Sequence, residues 1–236
     1  MSTPVRTEVL DHGFVELLET MGDDLTVVNA ARVSFHKEVT EMTPRDAKLV
    51  KYLADHHHVT PFFHPQVRMR IKMPIFVARE WFRHQIGFAR NEVSRRYVDE
   101  PPQCYCPQVV RARDKNLKQG SRAYGIDEEE IGRALIHDIN ERAMESYGDL
   151  LKMGVAPEVA RTVLPQGMYT EFIETGSLAA YARLCALRCD PAAQWEIRQF
   201  AEAVSALLRE RFPVSWSALA PAPAAAVAVA ESEQKA

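Results

Sequence analysis

The stretch HPQVRMRIKMPIFVAREWFRHQIGFARNEVSRRY, residues 64–97, contains in order a strand pattern, a helix pattern and a cluster of arginines. In residues 66–73 apolar and basic side chains alternate, and a period of two predicts a β-strand with one buried face. The residues of that face are Val67, Met69, Ile71 and Met73. Pro74 ends the strand, and residues 74–84 are typical of a helix, which breaks near Gly87.

The last part of this stretch, residues 83–97, contains four arginines and one acid, Glu92. A guanidinium stays protonated at any working pH and offers five N–H donors in a planar fork. Several of them close together indicate that an anion binds between them: a phosphate, a nucleic-acid backbone or acidic neighbours in the fold. The composition of residues 88–98 is typical of an irregular loop that carries function on a rigid base.

The overall composition excludes several classes of protein. The chain has 236 residues, 47% of them hydrophobic and 26% charged, as in an ordinary globular protein of one large or two small domains. Its formal net charge of -3 argues against a general nucleic-acid binder, so any anion site is local. No apolar run has the length of a signal peptide or a membrane span, which predicts a cytoplasmic protein without a membrane partner.

Two groups of residues that often bind metals do not have the spacing that a metal site needs. The cysteines, Cys104, Cys106, Cys185 and Cys189, lack paired Cys-x2-Cys elements, and we expect buried free thiols. The three consecutive histidines at 56–58 point in directions about 100° apart on a helix, so they seldom reach one ion. No metal site is therefore predicted. Glycine-rich nucleotide-binding motifs and the Gly-x-Ser-x-Gly motif are also missing.

Strand patterns are few and irregularly interleaved with helix patterns. The helix patterns cover residues 23–35, 43–58, 126–154, 157–164, 177–189 and 191–212, and a second strand pattern covers 168–176. This order favours an α+β fold, a single domain with a small antiparallel or mixed sheet packed by several long helices. The domain is predicted to span residues 1–219. Residues 220–236, rich in alanine and proline, are predicted to form a disordered tail.

The two longest helix patterns each carry an apolar stripe at helical spacing. In residues 126–154 the stripe consists of Ile131, Leu135, Ile139, Ala143 and Tyr147. In residues 191–212 it consists of Ile197, Phe200, Val204, Leu207 and Leu208. Both segments are typical of amphipathic helices.

Polar residues also occur where structure alone does not require them. His58 and Thr60 flank a turn before the first strand pattern, Arg161 lies in a short apolar helix, and Arg188 ends another helix. Taken singly, either arginine is best explained by a surface salt bridge or a helix C-cap. Together with residues 83–97 they favour a functional site.

Several segments in the same order resemble the flavin-dependent thymidylate synthases. That family's signature is Arg-His-Arg, seven residues, then Ser, within a pattern that ends Asn-Glu-x-Ser-x-Arg-Tyr. This chain supplies Arg83, His84, Asn91, Glu92, Ser94, Arg96 and Tyr97. The resemblance extends through DHGFVELLETMGDDL, AARVSF, HVTPFFH, PIFVAREWFRH, PEVARTVLP and LRCDPAAQWEI. It spans nearly the whole chain apart from the tail.

The chain departs from the family pattern at several positions. Gln85 stands where the family usually has arginine, and eight residues instead of seven separate it from Ser94. We expect Arg90, within the longer segment, to restore the missing charge. The other departures are Glu80 for glutamine, Phe63 for an acid, and Ser177 and Arg183 where others carry asparagine.

The resemblance implies an enzyme that methylates dUMP to dTMP. The carbon comes from 5,10-methylenetetrahydrofolate, and the electrons come from FAD reduced by NADPH, with the isoalloxazine carrying the redox chemistry. The family is typically homotetrameric, with active sites built from more than one subunit. Both dUMP and FAD bring phosphates, which suit forked guanidinium contacts and so account for the arginines.

The resemblance also assigns roles to individual residues. It places dUMP against Glu80, Arg83, Glu92, Ser94, Arg95, Arg96, Arg161 and Arg188. It places FAD against His58, Thr60, Arg83, His84, Gln85, Ile86, Glu92, Ser177 and Arg183. Arg188, the catalytic residue, matches the arginine that stabilises the ionised N3 of uracil, and a preorganised donor of this kind is worth about 3 kcal/mol. Ser94 has no histidine base in its motif, which favours a hydrogen bond to phosphate over nucleophilic attack.

Two other functions are compatible with the sequence. One is a nucleic-acid-binding module that uses the basic strand RMRIK, which would give a colourless protein with salt-sensitive DNA retention. The other is a flavoprotein of the same fold that has lost methylation through the Gln85 change. Formation of dTMP distinguishes this second possibility from a synthase.

Overall fold

The computed structural model describes residues 5–98, 100–114, 121–122 and 124–220, which form a single α+β domain. Five strands form one antiparallel sheet in the order β1-β2-β3-β5-β4. Their bounds are β1 Val5–Val9, β2 Gly13–Met21, β3 Gln66–Pro74, β4 Phe88–Glu92 and β5 Tyr169–Ser177. The sheet is therefore antiparallel, one of the two arrangements expected. All but one residue of the predicted tail, 220–236, lies outside the described residues.

The central strand β3 has the two faces that its alternation predicts. Val67, Met69, Ile71 and Met73 are fully buried. The opposite face is charged: Arg68 pairs with Glu19 at 2.9 Å, and Arg70 pairs with Glu171. One face of the sheet therefore packs against helices, and the other presents ion pairs between neighbouring strands.

Eight α-helices complete the described part of the chain. They are α1 Asp24–Arg32, α2 Pro44–Asp55, α3 Ile75–Trp81, α4 Glu129–Lys152, α5 Pro157–Ala160, α6 Leu178–Arg188, α7 Trp195–Arg211 and α8 Pro213–Leu219. Thr43 caps α2 as predicted: its hydroxyl accepts from the amide of Asp46, and Pro44 occupies the first turn. None of the described helices is long and apolar enough to span a bilayer.

The structure corrects the prediction of an irregular loop at residues 88–98. Residues Phe88–Glu92 form β4, an edge strand paired with β5. The sequence hides this strand because Arg90 points into the protein, where its ion pair with Glu174 takes the place of an apolar contact. Gly87, at φ +84°, provides the left-handed turn before the strand. Strands β1 and β2 and helix α8 also had no counterpart in the sequence-based prediction.

A buried carboxylate in α1 accepts hydrogen bonds from the first turn of helix α8. Asp24, the first residue of α1, is 7% exposed and accepts hydrogen bonds from the amides of Val214 and Ser215 at 2.9 and 2.8 Å. These amides lie in the first turn of α8, where helical N–H groups lack partners within the helix. Trp216 of the same helix is fully buried.

The four cysteines are free thiols, as predicted, although only Cys185 is buried. Cys104, Cys106 and Cys189 are partly exposed, which corrects the expectation of four buried side chains. Burial raises the pKa of the Cys104 thiol to about 11. The described residues contain no group of three or more histidine, cysteine or acidic side chains that could hold a metal ion.

Candidate active site

Helices α3 and α6 bring Arg188 against two polar side chains that lie more than 100 positions away in sequence. Glu80 lies in the last turn of α3, His84 in the turn that follows, and Arg188 at the last residue of α6. Arg188 Nη1 lies 3.2 Å from Glu80 Oε2, and Arg188 Nε donates to His84 Nε2 at 3.0 Å. The fold thus fixes the orientation of a guanidinium through two neighbours on one short segment.

His84 is neutral in this arrangement. Partial burial, together with the positive charges of Arg188, Arg90 and Arg183, lowers the pKa of His84 from 6.5 to about 4. Since Nε2 accepts the bond from Arg188, the ring proton of the neutral imidazole resides on Nδ1. His84 therefore orients Arg188 without adding a charge at neutral pH.

Two adjoining cavities share Glu80 and Arg83. The first, of about 650 Å³, also contacts Arg188, Arg111 and Gln194. The second, of about 600 Å³, is lined by Phe76, Arg79, Phe82, Gln85 and Gln166 in addition to the shared pair. Both volumes lie in the range of small-molecule sites. Arg83 is exposed, so its guanidinium is available to a ligand in either cavity.

The turn after α3 lies against the start of α6. Arg183 Nη2 donates to the carbonyl of Ile86 at 2.8 Å, and the Ile86 side chain is 79% exposed. A Cβ added to Gly87 would lie 3.0 Å from Ala180 Cβ, so the turn and helix approach closely. The hydroxyl of Ser177 is buried and caps α6 by accepting from the amide of Ala180. A flavin contact of Ser177 stays a prediction.

The segment with His58 and Thr60 lies beside the same helix. Thr60 starts a 3-10 helix, Thr60–Phe63, and both His58 and Thr60 are exposed. The ring of Phe63 lies under Arg183, with the Arg183 Cζ 5.8 Å from the ring centroid. Phe63 thereby connects this segment to α6.

The loop after β4 holds the remaining signature residues. The Ser94 hydroxyl accepts from the Nε of Arg96 at 3.3 Å, and Arg96 is exposed. Arg95 points inward: its Nη1 donates to the Glu100 carbonyl at 2.6 Å, and its buried Nε has no partner within the described residues. Desolvation lowers the pKa of Arg95. Glu92 accepts a 2.5 Å bond from the hydroxyl of Thr170 on β5.

Arg90 does not have the free charge expected of it. Its Nε forms an ion pair with the fully buried Glu174, and its guanidinium lies over the rings of Phe82 and Phe88. Glu174 also accepts from the indole of Trp81. The charge of Arg90 is compensated by Glu174 inside the subunit. Its position therefore gives no support to the expectation that Arg90 restores the charge that Gln85 lacks.

The predicted nucleotide residues separate into a group that lines the first cavity and a group that does not. Glu80, Arg83 and Arg188 line it, whereas Glu92, Ser94–Arg96 and Arg161 do not. Arg161 follows α5, is exposed, and forms no side-chain hydrogen bond or ion pair with any described residue. No hydrogen bond or ion pair among the described residues joins the two groups.

Sequence reasoning missed Arg111 and Gln166, which line these cavities. Arg111 pairs with the buried Glu196 and lies 5.0 Å from the ring of Trp195. It comes from a segment without helix or strand periodicity, so only its charge could have drawn attention to it. Gln166 follows Pro165 in a turn and carries no motif.

Comparison with known proteins identifies the class of enzyme. Residues 16–214 match the family model Thy1, described as thymidylate synthase complementing protein. The fold resembles the UMP/dUMP methylase PolB from Streptomyces cacaoi, solved with 5-Br dUMP, with a TM-score of 0.79 at 30% identity. The alignment covers 90% of this chain and 96% of that one. The α+β fold and the family match are therefore those of a methyltransferase.

Curated relatives narrow this class to one family. A flavin-dependent thymidylate synthase of Thermus thermophilus is 43% identical over 218 residues, which cover 92% of this chain and 79% of the relative. That of Kosmotoga olearia is 42% identical over 215 residues, covering 89% and 91% of the two chains. This chain belongs to the flavin-dependent thymidylate synthase family, which methylates dUMP to dTMP and depends on a flavin.

Proposed function

We propose that the chain transfers a one-carbon unit from 5,10-methylenetetrahydrofolate to dUMP, with FAD as its flavin and NADPH as the reductant. The observation that carries this proposal is Arg188, which Glu80 and His84 hold at a cavity that also contains Arg83. A fixed cation beside a second, exposed cation matches a uracil mononucleotide, which has an ionisable ring and a phosphate.

The uracil ring is assigned to Arg188. Its guanidinium is held in place before any ligand arrives, so it stabilises negative charge at N3 and O4 without reorganisation. That charge increases electron density at C5, the carbon that receives the methyl group. No covalent enzyme nucleophile is then required, and Ser94 acts as a hydrogen-bonding group.

We assign the phosphate to Arg83 in the cavity and to Arg96 and Arg161, which lack an internal counter-ion and which a neighbouring subunit would bring to the site. Arg161 has no ion-pair partner among the described residues. Within the same described part of the chain, Arg96 makes polar contacts only with Ser94 and the ring of Tyr97. Arg90 and Arg111, by contrast, pair with the buried acids Glu174 and Glu196. An exposed guanidinium without a carboxylate partner is the form that binds phosphate well.

The residues beside the turn that follows α3, where it lies against the start of α6, suit a flavin dinucleotide. Ile86 exposes most of its apolar side chain there, and Arg83 and Arg183 add positive charge. An isoalloxazine needs an apolar surface, and a diphosphate needs cations. We assign FAD to this surface, with His58, Thr60, His84, Gln85 and Glu92 as further contacts. When bound, FAD supplies the electrons for reduction of the transferred carbon.

We propose a homotetramer in which neighbouring subunits complete each site. Two observations support it: five of the eight predicted nucleotide residues do not line the cavity that contains Arg188, and Ile131, Leu135 and Ile139 of α4 are 59–62% exposed. An apolar stripe of this kind is rare on the surface of a monomer. A cytoplasmic location is proposed from the free cysteines, since disulfides are rare in that compartment.

The proposal is tested by assaying dTMP formation from dUMP with methylenetetrahydrofolate and NADPH. We expect a yellow protein that forms dTMP, and a roughly 100-fold lower rate for Arg188→Ala. Arg6→Ala is the matched control, because Arg6 is an exposed arginine that pairs with Glu8 on the edge strand. A yellow protein that oxidises NADPH and forms no dTMP would instead indicate a flavoprotein without methylation. A colourless one that retains DNA would indicate nucleic-acid binding.

A further inference from the structure

A carboxylate lies inside a site that is built for an anion. Glu80 lines the same cavity as Arg83, Arg111 and Arg188, and its side chain is 35% exposed. Its charge opposes the binding of a phosphorylated ligand. A glutamine at this position could accept a hydrogen bond from Arg188 without that repulsion. The negative charge of Glu80 is therefore unexplained by the positioning of Arg188 alone.

The contact between Glu80 and Arg188 leaves hydrogen-bonding capacity on both side chains. Arg188 uses Nε for His84 and Nη1 for Glu80 Oε2. Its Nη2 and the Oε1 of Glu80 make no hydrogen bond to any described residue. The pair thus offers at least one free donor, on Nη2, and one free acceptor oxygen, Oε1. A neutral uracil presents the complementary groups on one edge, an acceptor at O4 and a donor at N3–H.

We propose that Glu80 is the catalytic base that removes the N3 proton of the uracil ring. This inference rests on the proposed function, in which the uracil of dUMP lies against Arg188. The proton moves from N3 to Oε1 of Glu80, and the electron pair of the N–H bond stays on the ring, shared between N3 and O4. After methylation Glu80 returns the proton to N3 of dTMP, so the enzyme is unchanged.

Because Glu80 and Arg188 form an ion pair, the net charge of the site is the same before and after this proton transfer. Before the transfer, the charge of Arg188 is compensated by Glu80; afterwards Glu80 is neutral, and Arg188 faces the new negative charge on the ring. No net charge is created in a half-buried site, where a new charge is costly. With glutamine at position 80, the proton would have to leave for solvent.

The other groups facing Glu80 are unsuited to this role. His84 is neutral, and its Nε2 is occupied by Arg188. Arg83 and Arg111 are cations without a basic lone pair, and Arg111 is itself paired with Glu196. Among the described groups that line this cavity, Glu80 is the only carboxylate.

The first test compares the pH dependence of dTMP formation in Glu80→Gln, Glu80→Asp and wild type. At pH 7 we expect Glu80→Gln to lose about 100-fold or more in kcat, as for loss of a general base. Its rate should then rise about tenfold per pH unit, because solvent must take the proton, whereas the wild-type rate stays flat. Glu80→Asp should recover part of the rate. Glu19→Gln is the control, since Glu19 pairs with the exposed Arg68 on the outer face of the sheet.

The second test uses the nitrogen NMR signal of dUMP labelled with 15N at N3. We expect N3 without an attached proton in the wild-type complex and N3–H in the Glu80→Gln complex. A wild-type complex that keeps N3–H, or Glu80→Gln with the wild-type rate at pH 7, would overturn the assignment. Should Glu80→Gln not fold, the wild-type spectrum still decides. If the wild type binds dUMP but makes no dTMP, the proposed function fails, and the spectra still test Glu80 separately.

Discussion

Helices α4 and α7 carry the same kind of apolar stripe but lie in opposite environments. In α7, Ile197, Phe200, Val204 and Leu208 are fully buried between the sheet and α6. In α4, Ile131, Leu135 and Ile139 are mostly exposed, and only Tyr147 and Asn140 are buried. An amphipathic pattern therefore predicts a helix, but it does not reveal whether the same chain or another one covers the stripe.

The exposure of α4 has an energetic consequence. Burying one isoleucine or leucine side chain contributes about 1.5–3 kcal/mol, so three such side chains favour burial against a partner surface, which the proposed tetramer would supply. Among the helices and strands, α4 contacts mainly α5 and the 3-10 turn after it, and its other hydrogen bonds run to residues 105–110. α7 stabilises the fold of one chain; α4 is suited to join chains.

The largest expected effect comes from truncation in α7. Ile197→Ala should lower the free energy of unfolding by about 2–5 kcal/mol, because it leaves a cavity in a close-packed core. Urea unfolding followed by circular dichroism measures this loss. A change below about 1 kcal/mol would mean that the core around α7 is less tightly packed than the structure shows.

A charge on the α4 stripe should break the assembly and leave the subunit folded. Leu135→Glu places a carboxylate at the centre of the stripe and should shift the particle to a smaller mass, with loss of dTMP formation. Light scattering after gel filtration measures the mass. Met21→Glu is the control, because Met21 is equally exposed, at 63%, on strand β2. An unchanged mass for Leu135→Glu would show that α4 does not join subunits.

The stability of the subunit should also respond to pH through His84, which contacts Arg188 at the candidate site. Folding lowers the pKa of His84 to about 4, so between pH 6.5 and 4 the unfolded chain binds more protons than the folded one. Its contribution to stability is present above pH 6.5 and is lost as the pH falls towards 4. We expect the unfolding free energy of His84→Asn to change less between pH 6.5 and pH 4 than that of the wild type. The difference should be smaller than the loss of unfolding free energy expected for Ile197→Ala. If the unfolding free energies of the wild type and His84→Asn fall equally steeply with pH, the prediction is wrong.

The smallest effect is expected from Ile139→Ala in the Leu135→Glu background, where the subunits are separate. An exposed side chain contributes little within its own chain, so the unfolding free energy should change by about 0.5 kcal/mol or less. Ile197→Ala in the same background is the matched comparison. If the two substitutions cost the same, α4 packs against its own subunit in solution.

Local sequence patterns correctly predicted those helices and strands that can be recognised from neighbouring residues alone. The alternation at Val67–Met73 identifies β3, and Thr43 with Pro44 identifies the start of α2. β4 was missed because Arg90, which pairs with Glu174 on β5, interrupts its apolar face. That ion pair joins residues 84 positions apart, and no local pattern contains it.

The candidate site could be predicted only through the family resemblance. Residue types along the chain indicate an anion site near Arg83, and the resemblance adds Arg188 and Arg161. Neither predicts that Glu80 and His84 hold Arg188, since these contacts join α3 to α6 across 108 and 104 positions. The assignments of single residues to dUMP and FAD remain predictions.

The bond between Asp24 and α8 determines where the chain can be shortened. A truncated chain that ends before Pro213 would strand the Asp24 carboxylate in the interior without its two amide donors and would uncover the cavity that Trp216 fills. An affinity tag or a fluorescent fusion is therefore best attached beyond Ala220, where it leaves the hydrogen bonds between α8 and Asp24 intact.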